Sequence, residues 1–141
     1  MATLYRWWAA LVVLLVVVQV GLAGYGAFDS AKNAEDDVLN SDKFEDSFGP
    51  HAGLGYLVVL STLVLLILAA LARRDPRVRL RHSAILFGLL ILQVLLAWFG
   101  AAAPAIGFFH PVNALAIFAL SGYIASTAWR SDRVATTVPA P

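Results

Sequence analysis

The sequence predicts an all-α integral membrane protein: a four-helix up-down bundle built from two tandem repeated helical hairpins, with both termini cytoplasmic. Three observations lead there. Four apolar runs are long enough to cross a bilayer, arginine and acid are divided unevenly between the connections, and one short motif occurs twice. The composition agrees, since 60% of the 141 residues are hydrophobic, 13% are charged and the mean hydropathy is +0.78, far more apolar than a soluble domain.

Crossing a hydrocarbon core of roughly 30 Å takes about 20 apolar residues in a helix, because every backbone N–H and C=O must find its partner within the segment. The runs that qualify cover about residues 5–28, 51–72, 82–103 and 107–129. The first is longer than the apolar part of a cleaved signal peptide, and its end, "GLAGYGAF", is aromatic, so it is read as a retained helix. The connection after it, residues 29–50, holds Asp29, Glu35, Asp36, Asp37, Asp42, Glu45 and Asp46 against Lys32 and Lys43. It reads as a solvated, mobile external loop without the ligand spacing of an EF-hand. The second run opens on His51, and the connection behind it, "RRDPRVRLR", carries Arg73, Arg74, Arg77, Arg79 and Arg81 against Asp75. Arg130 and Arg133 follow the fourth run, so the positive-inside rule puts these segments in the cytoplasm; the plasma membrane is the expected location. Trp7, Trp8, Trp98 and Trp129 fall near span ends, as an interfacial aromatic belt requires. Residues 1–133 form the transmembrane domain, and 134–141 are expected to be a disordered tail.

Internal repetition organises the four runs into two pairs. "VQVGLAGYG" around Gln19 and "LQVLLAWFG" around Gln93 align Gln19 with Gln93 and Gly26 with Gly100. After each motif come an external connection and a histidine that starts the next helix, "HAGLG" at His51 and "HPVNA" at His110. An up-down bundle places the second and fourth helices on one diagonal, so His51 and His110 enter from the same side at similar depth. Neighbouring axes about 8–10 Å apart give a diagonal on the order of 12–14 Å, wide enough for two imidazoles with a metal between them. Gly55 and Ala114, four residues on, lie on the same helix faces and leave room for a flat macrocycle. A boundary histidine is also a common interfacial residue, but a symmetric pair above small residues points to axial ligation of a haem. Asn113 is placed to orient an imidazole or to cap the helix. Gln19 and Gln93 lie deep enough that an unbonded amide would be costly, so interhelical hydrogen bonding and cofactor contact both suit them. His82 follows the arginine run, has no histidine partner there and reads as interfacial.

The chemistry left open is narrow. The absence of cysteine excludes a disulfide, a thiolate-held iron–sulfur cluster and a c-type haem. No phosphate loop, nucleophile elbow or HExxH helix occurs, and a net charge of +1 points to no nucleic-acid partner. The stretches "HAGLGY", "LQVLLA" and "HPVNA" resemble one four-helix half of haem A synthase over about residues 5–129, and the chain is also similar to small uncharacterised four-span bacterial membrane proteins. The resemblance implies an axial-ligand role for His51 and His110 and nothing further. The chain has one four-helix unit where the synthase has two, Phe48 where an acidic residue would stand, and no cysteine pair. These departures argue against haem modification. The expectation is therefore a small b-type-cytochrome-like protein, not an enzyme by itself, that binds one haem b for electron transfer or haem handling. Its partners are the lipid bilayer and a redox membrane complex or quinone. The competing expectation is a cofactor-free accessory subunit of a membrane complex. Reporter fusions test the orientation: a fusion at Arg77 should report the cytoplasm and one at Asp36 the outside, and the opposite result would move the histidine pair to the other face.

Overall fold

In hydrocarbon, backbone polar groups can bond only to one another, so each apolar run becomes a helix and the charged connections mark where helices leave the bilayer. The computed structural model describes residues 2–36, 38, 40–72 and 76–137. Its elements are α1 (Ala2–Asp36), α2 (Ser41–Ala70), α3 (Pro76–Ala102), the short α4 (Pro104–Gly107) and α5 (Phe109–Thr137). Four stretches, Thr3–Glu35, Ser41–Ala70, Arg77–Ala102 and Pro104–Arg130, are long and apolar enough to cross a membrane. Their outer faces carry exposed Leu14, Val20, Leu60 and Trp98, as expected where the neighbour is lipid and not water.

The first hairpin is taller than the sequence suggests. The acidic connection expected as a mobile loop is largely helix, because α1 continues to Asp36 and α2 starts at Ser41, ten residues before His51. At 1.5 Å per residue, the 35 residues of α1 measure about 52 Å, well beyond a hydrocarbon core. Local chemistry explains the extension. Asn40 caps α2 by accepting from the Lys43 amide at 2.9 Å, and Asp42 in the first turn suits the positive end of the helix dipole. Between the two helices Ser47 donates to the Asp29 carboxylate at 2.7 Å, and the Asn33 amide lies 3.3 Å from both. Pro50 interrupts the ladder one residue before His51, since it has no N–H to offer the carbonyl of Asp46. At the other terminus α5 runs to Thr137, so the first four residues of the expected tail are helical, and 138–141 lie outside the described residues.

The helices pack in a ring in which α1 meets α2, α2 meets α3, α3 meets α5 and α5 meets α1, leaving α1/α3 and α2/α5 as the diagonals. Burial follows a four-three-four spacing on every long helix. Tyr5, Ala9, Val12 and Val16 face inward from α1, and Arg79, Ser83, Leu86 and Leu90 from α3. The two sets stand 74 positions apart, the separation of Gln19 and Gln93. Val58, Thr62, Leu65 and Ala69 of α2 match Ile117, Ser121, Ile124 and Ala128 of α5 at 59 positions, the separation of His51 and His110. This spacing is the knobs-into-holes pattern of helices crossing at a shallow angle. Trp8 fastens the first pair further by donating its indole N–H to the Ser61 carbonyl at 2.8 Å.

The glycines aligned by the repeat share a purpose. A methyl on Gly26 would come within 3.0 Å of the Ser47 carbonyl oxygen, and one on Gly100 within 2.6 Å of the Gly107 Cα. Both sit where a helix leaves the bundle and the returning backbone crosses it closely. Gly88 has nothing within 4 Å of such a methyl. Gly100→Ala should therefore lower the thermal unfolding midpoint in detergent, costing about 1–3 kcal/mol through backbone displacement. Gly88→Ala should leave the midpoint unchanged or raised, and a ranking the other way round would contradict this packing.

Candidate functional site

His51 sits in α2 just after Pro50, and His110 is the second residue of α5, so the diagonal brings both to one end of the bundle. Their ring centres are 6.2 Å apart with planes at 63°. Each ring is anchored by the same bond. Nδ1 of His51 lies 3.1 Å from the carbonyl oxygen of Gln19, and Nδ1 of His110 lies 3.1 Å from that of Gln93. A carbonyl can only accept, so Nδ1 carries the hydrogen in both rings and a neutral ring keeps its Nε2 lone pair. The bond ties α2 to α1 and α5 to α3. Phe48 packs edge-on to His51, with ring centres 6.2 Å apart.

The two glutamine side chains behave differently, and the neighbouring sequence explains why. Asn113, buried on α5, donates to the Leu89 carbonyl at 2.9 Å and to Oε1 of Gln93 at 2.7 Å. At the matching place on α2 stands Leu54, which offers no amide. Gln19 instead turns toward α2, donating to the His51 carbonyl at 2.8 Å and approaching Nε2 of His51 at 3.4 Å. Gly55 permits this, because a methyl there would lie 3.1 Å from the Gln19 amide nitrogen. The space assigned from sequence to a macrocycle beneath His51 is thus held by an amide, while Ala114 stands half-buried in the equivalent place. The donors of Gln19 are used and its Oε1 is buried without a partner, an arrangement that costs about 1–3 kcal/mol.

His82 lies at the arginine-rich end, edge-on to Tyr123 at 5.2 Å between ring centres, and takes no part in the pair. Sequence reasoning missed the glutamine carbonyls as the histidine partners, because the motif drew attention to the side chains. It also missed the other diagonal, where Tyr5 meets Ser83 at 3.1 Å and the buried Arg79 guanidinium lies 5.0 Å from the Tyr5 ring centre. Among the described residues no group of three or more histidine, cysteine, aspartate or glutamate side chains could hold a bare metal ion. Two imidazoles and an amide are too few for structural zinc, whereas a haem brings four nitrogens of its own and asks the protein for one or two.

The fold and its polar diagonal define a small multi-pass membrane protein with a histidine pair at one end of a four-helix bundle. The chain belongs to a family of unknown function, DUF6220, whose family model matches residues 19–103, more than half of its length. The matched stretch begins on Gln19 and includes His51, Gly55 and Gln93, whereas His110, Asn113 and Ala114 follow it. No curated protein and no solved structure matches the chain.

Asn113→Ala would strand Oε1 of Gln93 inside the bundle and remove two bonds. It should destabilise the protein by about 1–3 kcal/mol in a denaturant titration in detergent. Leu54→Ala, at the matching position on α2, removes no hydrogen bond and is the packing control. Asn113→Leu, which keeps approximate volume and removes the amide, completes the test: Asn113→Leu at parent stability, with a loss in Asn113→Ala no larger than that in Leu54→Ala, would show that the amide contributes nothing beyond volume.

Proposed function

We propose that the protein is a small b-type-cytochrome-like membrane protein that holds one haem b between His51 and His110, near the external face, for electron transfer or haem handling. One observation carries the reading: both imidazoles donate from Nδ1 to the carbonyl of an equivalent glutamine, so Nε2 is the unprotonated, metal-binding nitrogen of each ring, and that of His51, met at 3.4 Å by the Gln19 amide, is released when this amide turns away. The separation is compatible, since ring centres 6.2 Å apart are close enough for both imidazoles to be held by one metal. The donor set favours haem over a bare ion. The unpartnered Oε1 of Gln19 adds support, because the amide is incompletely satisfied where it lies and turning it away from Gly55 would free the space.

A haem held by His51 and His110 would supply one-electron redox chemistry. The chain itself orients both ligands through the glutamine carbonyls and shields His51 with Phe48. The amides of Gln19 and Gln93 set the polarity around the ligands, and such outer-shell hydrogen bonds tune potential. The arginine distribution supports an external site, where a quinone or a larger redox complex would exchange the electron. The repeat supports a shared role for the two halves, since the buried positions keep its register.

A second reading has its own observation. With the Gln19 amide filling the space above Gly55, the network already ties each hairpin together, as a cofactor-free accessory subunit would need. An optical spectrum of the purified protein, produced with ample haem, separates the two. A haem protein should show a six-coordinate low-spin spectrum that His51→Ala and His110→Ala abolish or convert to five-coordinate and that His82→Ala preserves. A colourless parent protein, or equal effects at all three histidines, would leave the accessory-subunit reading standing.

A further inference from the structure

At the arginine-rich end a cavity of about 110 Å³ is lined by Tyr5, Arg79, His82, Ile124 and Ala128, among others. The packing pattern explains the opening. Its first layer sets Tyr5 opposite Arg79 on one diagonal, and the small Ala128 of α5, which lines the opening, leaves space beside the guanidinium. Arg79 is 8% exposed. Among the described residues its guanidinium meets the Tyr5 ring, 5.0 Å from the ring centre, and no carboxylate. An arginine removed this far from water ordinarily has an anionic partner, and a contact with an aromatic face is a weak substitute.

We propose that this cavity is a binding site for a phosphate-type anion, with the Arg79 guanidinium as its charge partner. This site is separate from the histidine pair and stands whether or not haem binds there. Three features select the ligand class. A guanidinium offers a planar fork of N–H donors that matches two phosphate oxygens. The volume, about 110 Å³, admits one phosphate-sized group and is too little for a large head group to enter whole. Arg79 lies in the first turn of α3, at the end of a span, with exposed Arg77 and Arg81 beside it. Basic pockets between helices at this depth take anionic lipid head groups, and exposed neighbouring arginines raise the local anion concentration. The phenol of Tyr5 gives a second donor when Ser83 supplies the hydrogen of their shared bond.

The test uses the full chain purified in phospholipid-free detergent, with thermal unfolding followed by tryptophan fluorescence. Inorganic phosphate, phosphatidylglycerol and neutral diacylglycerol are titrated at constant ionic strength set with chloride. Phosphate or phosphatidylglycerol should raise the unfolding midpoint by several degrees while diacylglycerol and chloride do not. A response to the lipid alone identifies a head group as the source, and a response to both admits the free anion. Arg79→Gln should weaken the response about tenfold in apparent affinity, whereas Arg81→Gln, which removes an exposed and screened charge only, should weaken it far less. Should Arg79→Gln fail to fold, Ala128→Val narrows the cavity, keeps the guanidinium and should weaken the response likewise. Absence of any phosphate-specific shift in the parent protein, or equal responses from the parent, Arg79→Gln and Ala128→Val proteins, overturns the proposal.

Discussion

A helix carbonyl inside a membrane already accepts from the amide four residues on, yet it keeps a second lone pair, and the histidine end of this bundle depends on two such lone pairs. The bonds from His51 to Gln19 and from His110 to Gln93 do three things together. They set the axial register of α2 against α1 and of α5 against α3, they choose the imidazole tautomer, and they hold both rings on the diagonal. Helix association in lipid lacks the hydrophobic drive available in water, so directional bonds of this kind carry weight beyond their modest individual energies. Once the rings are fixed, the amides must adapt to them. Gln93 has Asn113 to satisfy it, and Gln19 has only the His51 backbone and ring.

Much of this was legible in the sequence because membrane helices leave few alternatives. Apolar runs of sufficient length set the four spans, and two aligned motifs were enough to pair the histidines and place them across a diagonal. The same offsets that align Gln19 with Gln93 and His51 with His110 also align the buried residues from Tyr5 to Ala128, although the first pair on α1 and α3 does not match in kind: Tyr5 answers to Arg79. Periodicity shows where a residue faces, and that information survives when its identity does not.

What stayed hidden was decided by tertiary neighbours. The acidic connection has the composition of a solvated loop, and its helicity comes from one cap at Asn40 and a small cluster of Asp29, Asn33 and Ser47 that exists only when α1 and α2 stand side by side. Arg79 belongs to a run of arginines that reads as uniformly solvated, yet one turn of helix carries it inward beneath Tyr5 while Arg77 and Arg81 stay outside. The space under Gly55 illustrates a third limit. Its small size was visible, but its occupant depends on the Gln19 rotamer, which follows from the absence of a second amide at Leu54.

The tall first hairpin also has a mechanical side. From Ser41 to His51 the α2 backbone is continuous helix about 15 Å long, and its ladder lacks one rung at Pro50, next to the imidazole. That arm does not stand alone: Ser47 is bound to Asp29 and Asn33 of α1, so a sideways load at its acidic tip passes into α1 as well as toward the turn that carries His51. The second hairpin, closed by the tight Gly100–Gly107 crossing, offers no comparable arm. The two halves thus share a packing plan and differ in reach.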